Sequence, residues 1–374
     1  MKYNFKEAQL PGDFCSERMH KVRNLLTPSG LFTIVGMPGV GLSFFLRFLA
    51  TRDFAYFVYL DISSLAAPTK HEFYVALLKE LGGLKIPSDE QEMLYACKRQ
   101  IKKILKNKKR IIFLFNRFGE LGHEMDKSLL SNLRTLRHSV ADRISMIFAS
   151  TQPMHILAPE TMSGGNLDMF SNTYYFAPFG KEDFMKIFLL HSPKMDKKTI
   201  DELFVLAGGH YQIAKLFLKT TNKKDLFLDK LITISLKKLH DNLSYHQRKI
   251  IQKIAFNKMV ESVDPELMNV GMVKKMSGKY ILFSKIFTEY VKKHTSIKLP
   301  VKEAMLFRLL KKNMDRVVKK EEIFRALWSE DDEEFGSDWA LNSLIYRLRK
   351  NPFFAAKGYI IESHKKVGYM LLRE

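Results

Sequence analysis

The chain has 374 residues, of which 46% are hydrophobic and 27% charged, so two or three folded domains are expected rather than one core. Lys and Arg number 61 against 40 Asp and Glu, and the net charge of +21 favours polyanionic partners, although a Lys-rich proteome would give the same balance. Cys15 and Cys97 have no His at metal-ligand spacing, which excludes a disulfide framework and argues against a zinc site. A reducing, cytoplasmic compartment is expected.

Membrane insertion is not expected from the sequence. Met1 to Leu10 lacks the continuous apolar segment of a secretory signal. The long uncharged stretch from Leu31 to Leu46 is interrupted by glycines and is shorter than the roughly 20 residues that a spanning helix needs.

A Gly-rich turn lies between the apolar strand predicted at Leu31 to Val35 and the helix predicted at Phe44 to Ala50. In such a turn the small residues let backbone N–H groups converge on phosphate oxygens at a helix N-terminus. The candidate nucleotide-binding positions are Gly36, Gly39, Gly41, Leu42, Ser43 and Asn116. Leu42 stands where a phosphate-binding loop carries Lys, whereas Ser43 keeps the hydroxyl that binds magnesium.

Further apolar strands alternate with helices along the chain. Strands are predicted at Tyr56 to Leu60, ending in Asp61, and at Ile111 to Phe115, which follows a basic amphipathic helix from Met93 to Lys108. A fourth strand is predicted at Ile144 to Ala149. This alternation predicts a parallel sheet.

The run from Phe14 to His210 resembles the AAA+/STAND-type ATPase module, including its origin-recognition-like branch. The resemblance rests on the order of these elements and on the phrases Gly12 to Arg18 and Gly208 to Tyr211. It implies a nucleotide-binding fold with a small helical lid, and a polar residue that senses phosphate at Ser150 or Thr151.

The groups that perform ATPase chemistry in this family are missing. Leu42 replaces the Lys, and Asn116 and Arg117 follow the third strand where relatives keep Asp for magnesium and Glu for water activation. The sequence therefore predicts a scaffold or sensor without hydrolysis, with no catalytic residue and no metal ligand. ATP or ADP remains a candidate ligand without strong magnesium binding. Arg47 and Arg52 are alternative sources of the missing charge, although exposed surface charges are the preferred interpretation.

Past the lid, helices are predicted between Leu236 and Ala255, followed by a hairpin formed by Met272 to Met276 and Lys279 to Phe283. Helices followed by a hairpin suggest a winged helix, which AAA+/STAND relatives carry at this point. We expect this connector to pack against the ATPase-like module rather than to bind DNA.

A new domain is predicted to begin after Pro300, because proline favours an extended boundary. Helices are predicted at Glu303 to Lys312, Lys320 to Trp328 and Ser337 to Lys350, followed by a hairpin from Tyr359 to Leu372.

The last of these helices has one apolar face and one face of cations and polar side chains, the mixture that a recognition helix in a major groove needs. Lysines at the hairpin tip suit a wing laid along the DNA backbone. The candidate DNA-binding residues are Asn342, Ser343, Tyr346, Arg347, Arg349, Lys350, Lys365 and Lys366.

Residues 299–373 resemble the OmpR/PhoB-type winged helix of response regulators. The phrases that carry this resemblance are Val317 to Ile323, Asp338 to Lys350 and Val367 to Tyr369. The resemblance implies a DNA-binding helix at Asp338 to Lys350. Lys366 departs from the family, which has glycine in the wing.

Together these patterns predict an α/β chain in which a P-loop AAA+-like parallel sheet with a helical lid precedes two α+β winged-helix domains. The predicted domains are residues 1–180, the lid at 181–225, the connector at 226–297 and the DNA-binding domain at 298–374. The predicted function is sequence-specific regulation through double-stranded DNA, with homo-oligomerisation left open. Two alternatives remain, a nucleotide-controlled STAND-like signalling switch and an origin or mobile-element replication protein.

Overall fold

The computed structural model describes residues 2–26, 30–140, 143–161, 170, 172–220, 229–295, 300–328, 337–351, 354, 359–364 and 367–373. It divides the chain into two compact units, Met1–Val291 and Lys292–Glu374.

In the first unit helices and strands alternate up to the end of the sheet. They are α1 (Ser16–Leu25), β1 (Leu31–Gly36), α2 (Leu42–Ala50), β2 (Tyr56–Asp61), α3 (Lys70–Glu80), α4 (Glu90–Asn107), β3 (Ile111–Asn116), α5 (Lys127–His138), β4 (Ile144–Ser150), α6 (Met154–Leu157) and β5 (Thr173–Phe176). Helices and a hairpin follow: α7 (Lys181–His191), α8 (Lys197–Ala207), α9 (Tyr211–Lys219), α10 (Lys230–Asp241), α11 (Tyr245–Ala255), α12 (Pro265–Asn269), β6 (Val273–Met276), β7 (Lys279–Leu282) and α13 (Lys285–Thr295).

Five parallel strands form one sheet in the order β2-β3-β4-β1-β5. Strands β1, β3 and β4 are buried along their whole length, which explains why they are near-continuous apolar runs in the sequence. Asp61 pairs with Asn116 in the register of β2 and β3, so the polar ends of both strands lie at the same edge. The order of elements confirms the predicted α/β fold with a parallel sheet.

Two apolar layers cover the sheet, one on each face. The first contains α2, the lid helices α7 to α9 and the connector, and the second contains α3, α4 and α5. The helices cover both faces because each strand alternates its side chains between them.

The connector packs against the lid, as expected from the sequence. The Ser284 hydroxyl donates a hydrogen bond to the Leu206 carbonyl oxygen at 2.9 Å. Gly271 has a φ of 72°, and a Cβ there would lie 2.8 Å from the Cβ of Ala177. These close approaches make the connector part of the first unit.

The second unit contains α14 (Val301–Lys312), β8 (Val318–Lys319), α15 (Lys320–Leu327), α16 (Asp338–Lys350), β9 (Tyr359–His364) and β10 (Gly368–Arg373). Its strands form an antiparallel sheet in the order β8-β10-β9. Leu306, Ile323, Leu344 and Leu371 are among the residues of its own apolar core. Helices followed by a hairpin confirm the predicted winged helix. Within the described residues, every helix is too short or too polar to traverse a lipid bilayer.

Candidate nucleotide pocket and nucleic-acid interface

The Gly-rich loop leaves the carboxyl end of β1 and leads into α2, as the sequence predicts. Gly39 and Gly41 have φ angles of 74° and 110°, a conformation that residues with a side chain rarely adopt. Helix α2 begins at Leu42, directly after Gly41. The backbone of a phosphate-binding loop is therefore present.

Leu42 and the two candidate arginines, Arg47 and Arg52, do not present a free cation to this loop. Leu42 is only 9% exposed and belongs to the apolar core. The Arg47 Nε donates to the carboxylate of buried Glu7 at 2.8 Å. The Arg52 guanidinium lies 4.3 Å from the ring centre of Phe48. Both arginines are only partly exposed and are engaged with other side chains, so the interpretation of them as exposed surface charges is wrong.

Ser43 and Asn116 form a hydrogen-bond network where a magnesium site would lie in an ATPase. The Ser43 hydroxyl donates to Asn116 Oδ1 at 3.0 Å. Asn116 Nδ2 donates in turn to Asp61 Oδ2 at 2.9 Å and to the Tyr59 hydroxyl at 3.1 Å. Arg117 pairs with Asp61 at 3.4 Å. Asn116 is almost completely buried, so the network satisfies its amide without a metal ion.

The protonation of Tyr59 suits this network. Burial and the nearby Asp61 carboxylate raise the pKa of Tyr59 to about 12. Its hydroxyl therefore stays neutral at ordinary pH and can accept the Asn116 amide hydrogen. Tyr59 and Asp61 were not assigned a role from the sequence, because strand pairing rather than sequence proximity brings them to Asn116.

The lid binds directly to the Gly-rich loop. His210 Nε2 lies 2.9 Å from the Pro38 carbonyl oxygen, and the backbone amide of Gln212 donates to the Gly39 carbonyl oxygen at 3.0 Å. His210 Nδ1 accepts from the Ile213 amide at the start of α9. A carbonyl can only accept and an amide can only donate, so these partners select the neutral imidazole with its proton on Nε2. Burial lowers the pKa of His210 to about 4, which keeps the ring neutral.

Aromatic side chains pack against the N-terminal end of α2. A Cβ added at Gly41 would lie 3.0 Å from Phe179 Cζ and from Tyr211 Cβ. Phe14 is fully buried, with its ring centre 4.8 Å from that of Phe48 and 6.0 Å from that of Phe179. These rings belong to the N-terminal segment, the sheet end and the lid, so three segments converge on the loop.

The two positions that carry charge in an active P-loop ATPase are neutral in this chain. A nucleoside triphosphate needs positive charge at its terminal phosphates, and magnesium needs anionic oxygen ligands. Leu42 and Asn116 provide neither, and the nearby Asp61 carboxylate is paired with Arg117 at 3.4 Å. Among the described residues no three His, Cys, Asp or Glu side chains are grouped as a metal ion would require.

In the second unit, α16 has a buried face and an exposed face. Leu341, Leu344, Ile345 and Leu348 face the core. The opposite face, at helical spacing, consists of Trp339, Asn342, Ser343, Tyr346 and Lys350. Trp339 is 79% exposed and Tyr346 62% exposed. Sequence reasoning did not assign Trp339 a role, although it lies three residues before Asn342 and seven before Tyr346 on the same face.

Two predicted DNA-contacting arginines bind other parts of the second unit. Arg347 Nε pairs with the carboxylate of Glu303 on α14 at 2.9 Å, and that Glu303 side chain is only 6% exposed. Arg349 donates to the Ile361 carbonyl oxygen and to the Ser363 hydroxyl on β9, both at 2.7 Å. Both arginines therefore fix α16 against its neighbours.

The remaining predicted DNA contacts are distributed between α16 and the hairpin. The Tyr369 hydroxyl on β10 donates to Asn342 Oδ1 at 2.6 Å, which orients the amide. Lys350 Nζ lies 5.9 Å from the ring centre of Tyr346. Lys365 and Lys366 lie outside the described residues.

Residues 294–371 match the protein family described as "Transcriptional regulatory protein, C terminal". The second unit thus carries a winged-helix domain of transcriptional regulators, which confirms the resemblance seen in the sequence. No curated protein matches the chain in sequence.

Several solved structures are similar to this chain at low sequence identity. A Walker-type ATPase of Pyrococcus abyssi is 14% identical, with a TM-score of 0.46 over 74% of this chain and 95% of that one. Cdc6p of Pyrobaculum aerophilum is 13% identical, with a TM-score of 0.43 over 98% of this chain and 91% of its own. The Aeropyrum pernix ORC1 protein, solved in complex with DNA, is 10% identical, with a TM-score of 0.40 over 98% of this chain and 90% of that one. Similarity at this level does not extend to function.

Proposed function

We propose that this chain is a sequence-specific regulator that binds double-stranded DNA through its second unit, with the P-loop-derived first unit as a scaffold that does not hydrolyse ATP. The observation that carries the proposal is the exposed face of α16 within a domain that matches transcriptional regulators.

The composition of this face supports base recognition in the major groove. Asn342 and Ser343 carry hydrogen-bonding groups of the kind that bind base edges, and Lys350 suits a phosphate. Trp339 and Tyr346 present apolar surface near them, of the kind that contacts thymine methyl groups. Arg347 and Arg349 act as positioning residues, because their bonds to Glu303 and β9 set the angle of the helix.

The hydrogen-bond network at Ser43 and Asn116 supports a role without hydrolysis. Phosphoryl transfer depends almost wholly on positioned positive charge and a bound cation. Leu42 and Asn116 supply neither the positive charge nor the anionic ligand for that cation. The lid is held against the Gly-rich loop by hydrogen bonds of His210 and of the Gln212 backbone amide, without a nucleotide.

Selection of bound duplexes from random DNA, with and without ATP, tests the DNA-binding part. We expect one enriched sequence, the same in both arms. If no sequence is enriched, the regulator proposal is wrong. If enrichment requires ATP, the nucleotide-independent scaffold is wrong, and a nucleotide-controlled switch explains the chain better.

An ATP turnover assay on the purified chain tests whether the first unit hydrolyses ATP, and we expect no turnover above background. Ser43→Ala serves as the control, because it removes the hydroxyl that an active P-loop uses for magnesium. Turnover that Ser43→Ala abolishes would contradict the proposal.

A further inference from the structure

We propose that the exposed face of α4 in the first unit, together with the turn that follows it, is a second DNA-contacting surface, which binds the phosphate backbone without reading sequence. This inference rests on the proposed DNA-binding function and adds to it a contact outside the winged helix. The surface, called the α4 basic face below, consists of Arg99, Lys102, Lys103, Lys106, Lys108 and Lys109.

Positive charge is dense along α4 and the turn that follows it. Residues 93–110 contain eight Lys or Arg and no Asp or Glu, so they hold +8 of the net +21. Residues 339–373 contain seven Lys or Arg and one Glu, which adds +6. Spread evenly, the net charge of +21 over 374 residues would place about +1 on a stretch of 18 residues. The concentration in one helix of the first unit therefore needs its own explanation.

The six cations of the α4 basic face point into solvent. All six are exposed, whereas Met93, Cys97 and Ile101 on the opposite side of the helix are fully buried in the apolar core. None of the six side chains forms an ion pair within the part of the chain that the structure describes. Cations three and four residues apart on a helix lie about 5–6 Å from each other, so the face forms a continuous positive stripe.

A further cation, Arg143, binds the carboxyl end of α4. The Arg143 guanidinium donates to the carbonyl oxygens of Leu105 and Lys108, at 2.6 and 2.7 Å, and to that of Lys109 at 3.1 Å. The Leu105 and Lys108 carbonyls lie at the end of α4 and would otherwise present the negative end of the helix dipole. Arg143 therefore neutralises the dipole and leaves the lysine charges uncompensated.

Duplex DNA fits this surface better than an anionic membrane does. An interfacial helix inserts its apolar face into the lipid, but the apolar face of α4 is already buried in the protein core. A phosphate backbone requires only accessible cations along a stripe. The proposal commits to duplex DNA, and binding to lipid becomes an outcome of the test.

The experiment compares the full chain with a variant carrying Arg99→Gln, Lys102→Gln, Lys103→Gln and Lys106→Gln. The matched control carries Lys194→Gln, Lys197→Gln, Lys198→Gln and Lys219→Gln, which neutralises four exposed lysines on the lid helices α8 and α9 and in the loop between α7 and α8. The DNA is the enriched duplex, extended on both sides by unrelated sequence. The affinity of each protein is measured over a series of salt concentrations, and thermal melting confirms that both variants fold.

We expect the α4 variant to bind the extended duplex with a shallower salt dependence. The slope of log K against log salt should change by about 0.9 for each phosphate that the variant no longer neutralises. Its preference for the enriched sequence over a scrambled one should be unchanged, and the control should behave as the unaltered chain. Replacing Lys102, Lys103 and Lys106 by Arg should retain the slope.

Equal slopes for the unaltered chain and the α4 variant overturn this inference while leaving the proposed function in place. The same reduction in the control also overturns it, because the effect would then come from net charge alone. Binding of the unaltered chain to phosphatidylserine vesicles that the α4 variant loses, without a change in DNA binding, assigns the surface to lipid and overturns the inference too. If the unaltered chain does not distinguish the enriched duplex from the scrambled one, the proposed function itself fails.

Discussion

His210 and Pro38 are joined by a hydrogen bond of 2.9 Å that connects the lid to the Gly-rich loop across 172 residues of chain. The imidazole is fully buried and caps α9 through its other nitrogen. One neutral side chain therefore holds both the first turn of a lid helix and the loop on which a nucleotide would sit. This arrangement makes the stability of the first unit sensitive to pH.

The first prediction concerns that pH dependence. The pKa of His210 is lowered from about 6.5 in the unfolded chain to about 4 in the folded one, so only the unfolded chain takes up the proton between these values. Its contribution to the free energy of unfolding should be constant above about pH 6.5 and should fall by about 2 kcal/mol from pH 7 to pH 5.

Urea unfolding at pH 7 and pH 5 measures this difference. His210→Asn is the matched control, because Asn caps a helix well and does not titrate in this range. The variant should lose less stability than the unaltered chain on going to pH 5. An identical loss in both proteins would assign the pH dependence to other groups.

The second prediction concerns the buried network at Asn116. Asn116→Asp places a carboxylate where an amide now donates to Asp61, so two negative groups would face each other away from water. We expect a loss of roughly 2–4 kcal/mol in the free energy of unfolding at pH 7. Chemical denaturation of the variant and the unaltered chain at pH 7 measures this loss. The double variant Asp61→Asn with Asn116→Asp should recover part of the loss, and full stability of the single variant would contradict the description of the network.

The third prediction separates structure from DNA contact at Arg347. Arg347→Ala leaves the Glu303 carboxylate buried without its cation, and because the arginine side chain is 58% exposed we expect only about 1–3 kcal/mol of destabilisation. Hydrogen exchange should become faster in α14 and α16. The double variant Arg347→Ala with Glu303→Gln should restore protection. Unchanged exchange in the single variant would mean that Arg347 has no positioning role.

The fourth prediction concerns the aromatic side chains of α16. Trp339→Ala and Tyr346→Ala should each weaken specific DNA binding about tenfold or more with little change in its salt dependence, since a contact with base edges is worth roughly 1–3 kcal/mol and releases no counterions. Lys350→Ala should instead reduce the salt slope by about 0.9. Salt titrations of the four proteins on the enriched duplex distinguish these effects. If both aromatic variants bind as the unaltered chain does, the exposed rings are not part of the interface.

Local sequence patterns were sufficient to predict most elements of the fold. The apolar runs at β1 and β3, the glycines between β1 and α2, and the alternating faces of α16 each depend on residues close together in the chain. The same local patterns identified Leu42 and Asn116 as departures from an active P-loop.

The partners of the polar side chains required the folded chain. Ser43 meets Asn116 across 73 residues, and Arg347 and Arg349 meet Glu303 and β9, where the sequence predicted DNA contacts. A charged residue on an exposed helix face has the same sequence pattern whether it binds DNA or a neighbouring strand.

The sequence by itself determined the order of the strands and helices along the chain, the missing P-loop Lys and the dense positive charge along α4, because periodicity and composition are properties of neighbouring residues. Only the tertiary structure decided that His210 binds the Gly-rich loop, that Asn116 is held by Tyr59 and Asp61, and that Trp339 is exposed beside Asn342. These contacts depend on which segments the packed core brings together, and no local pattern specifies that choice.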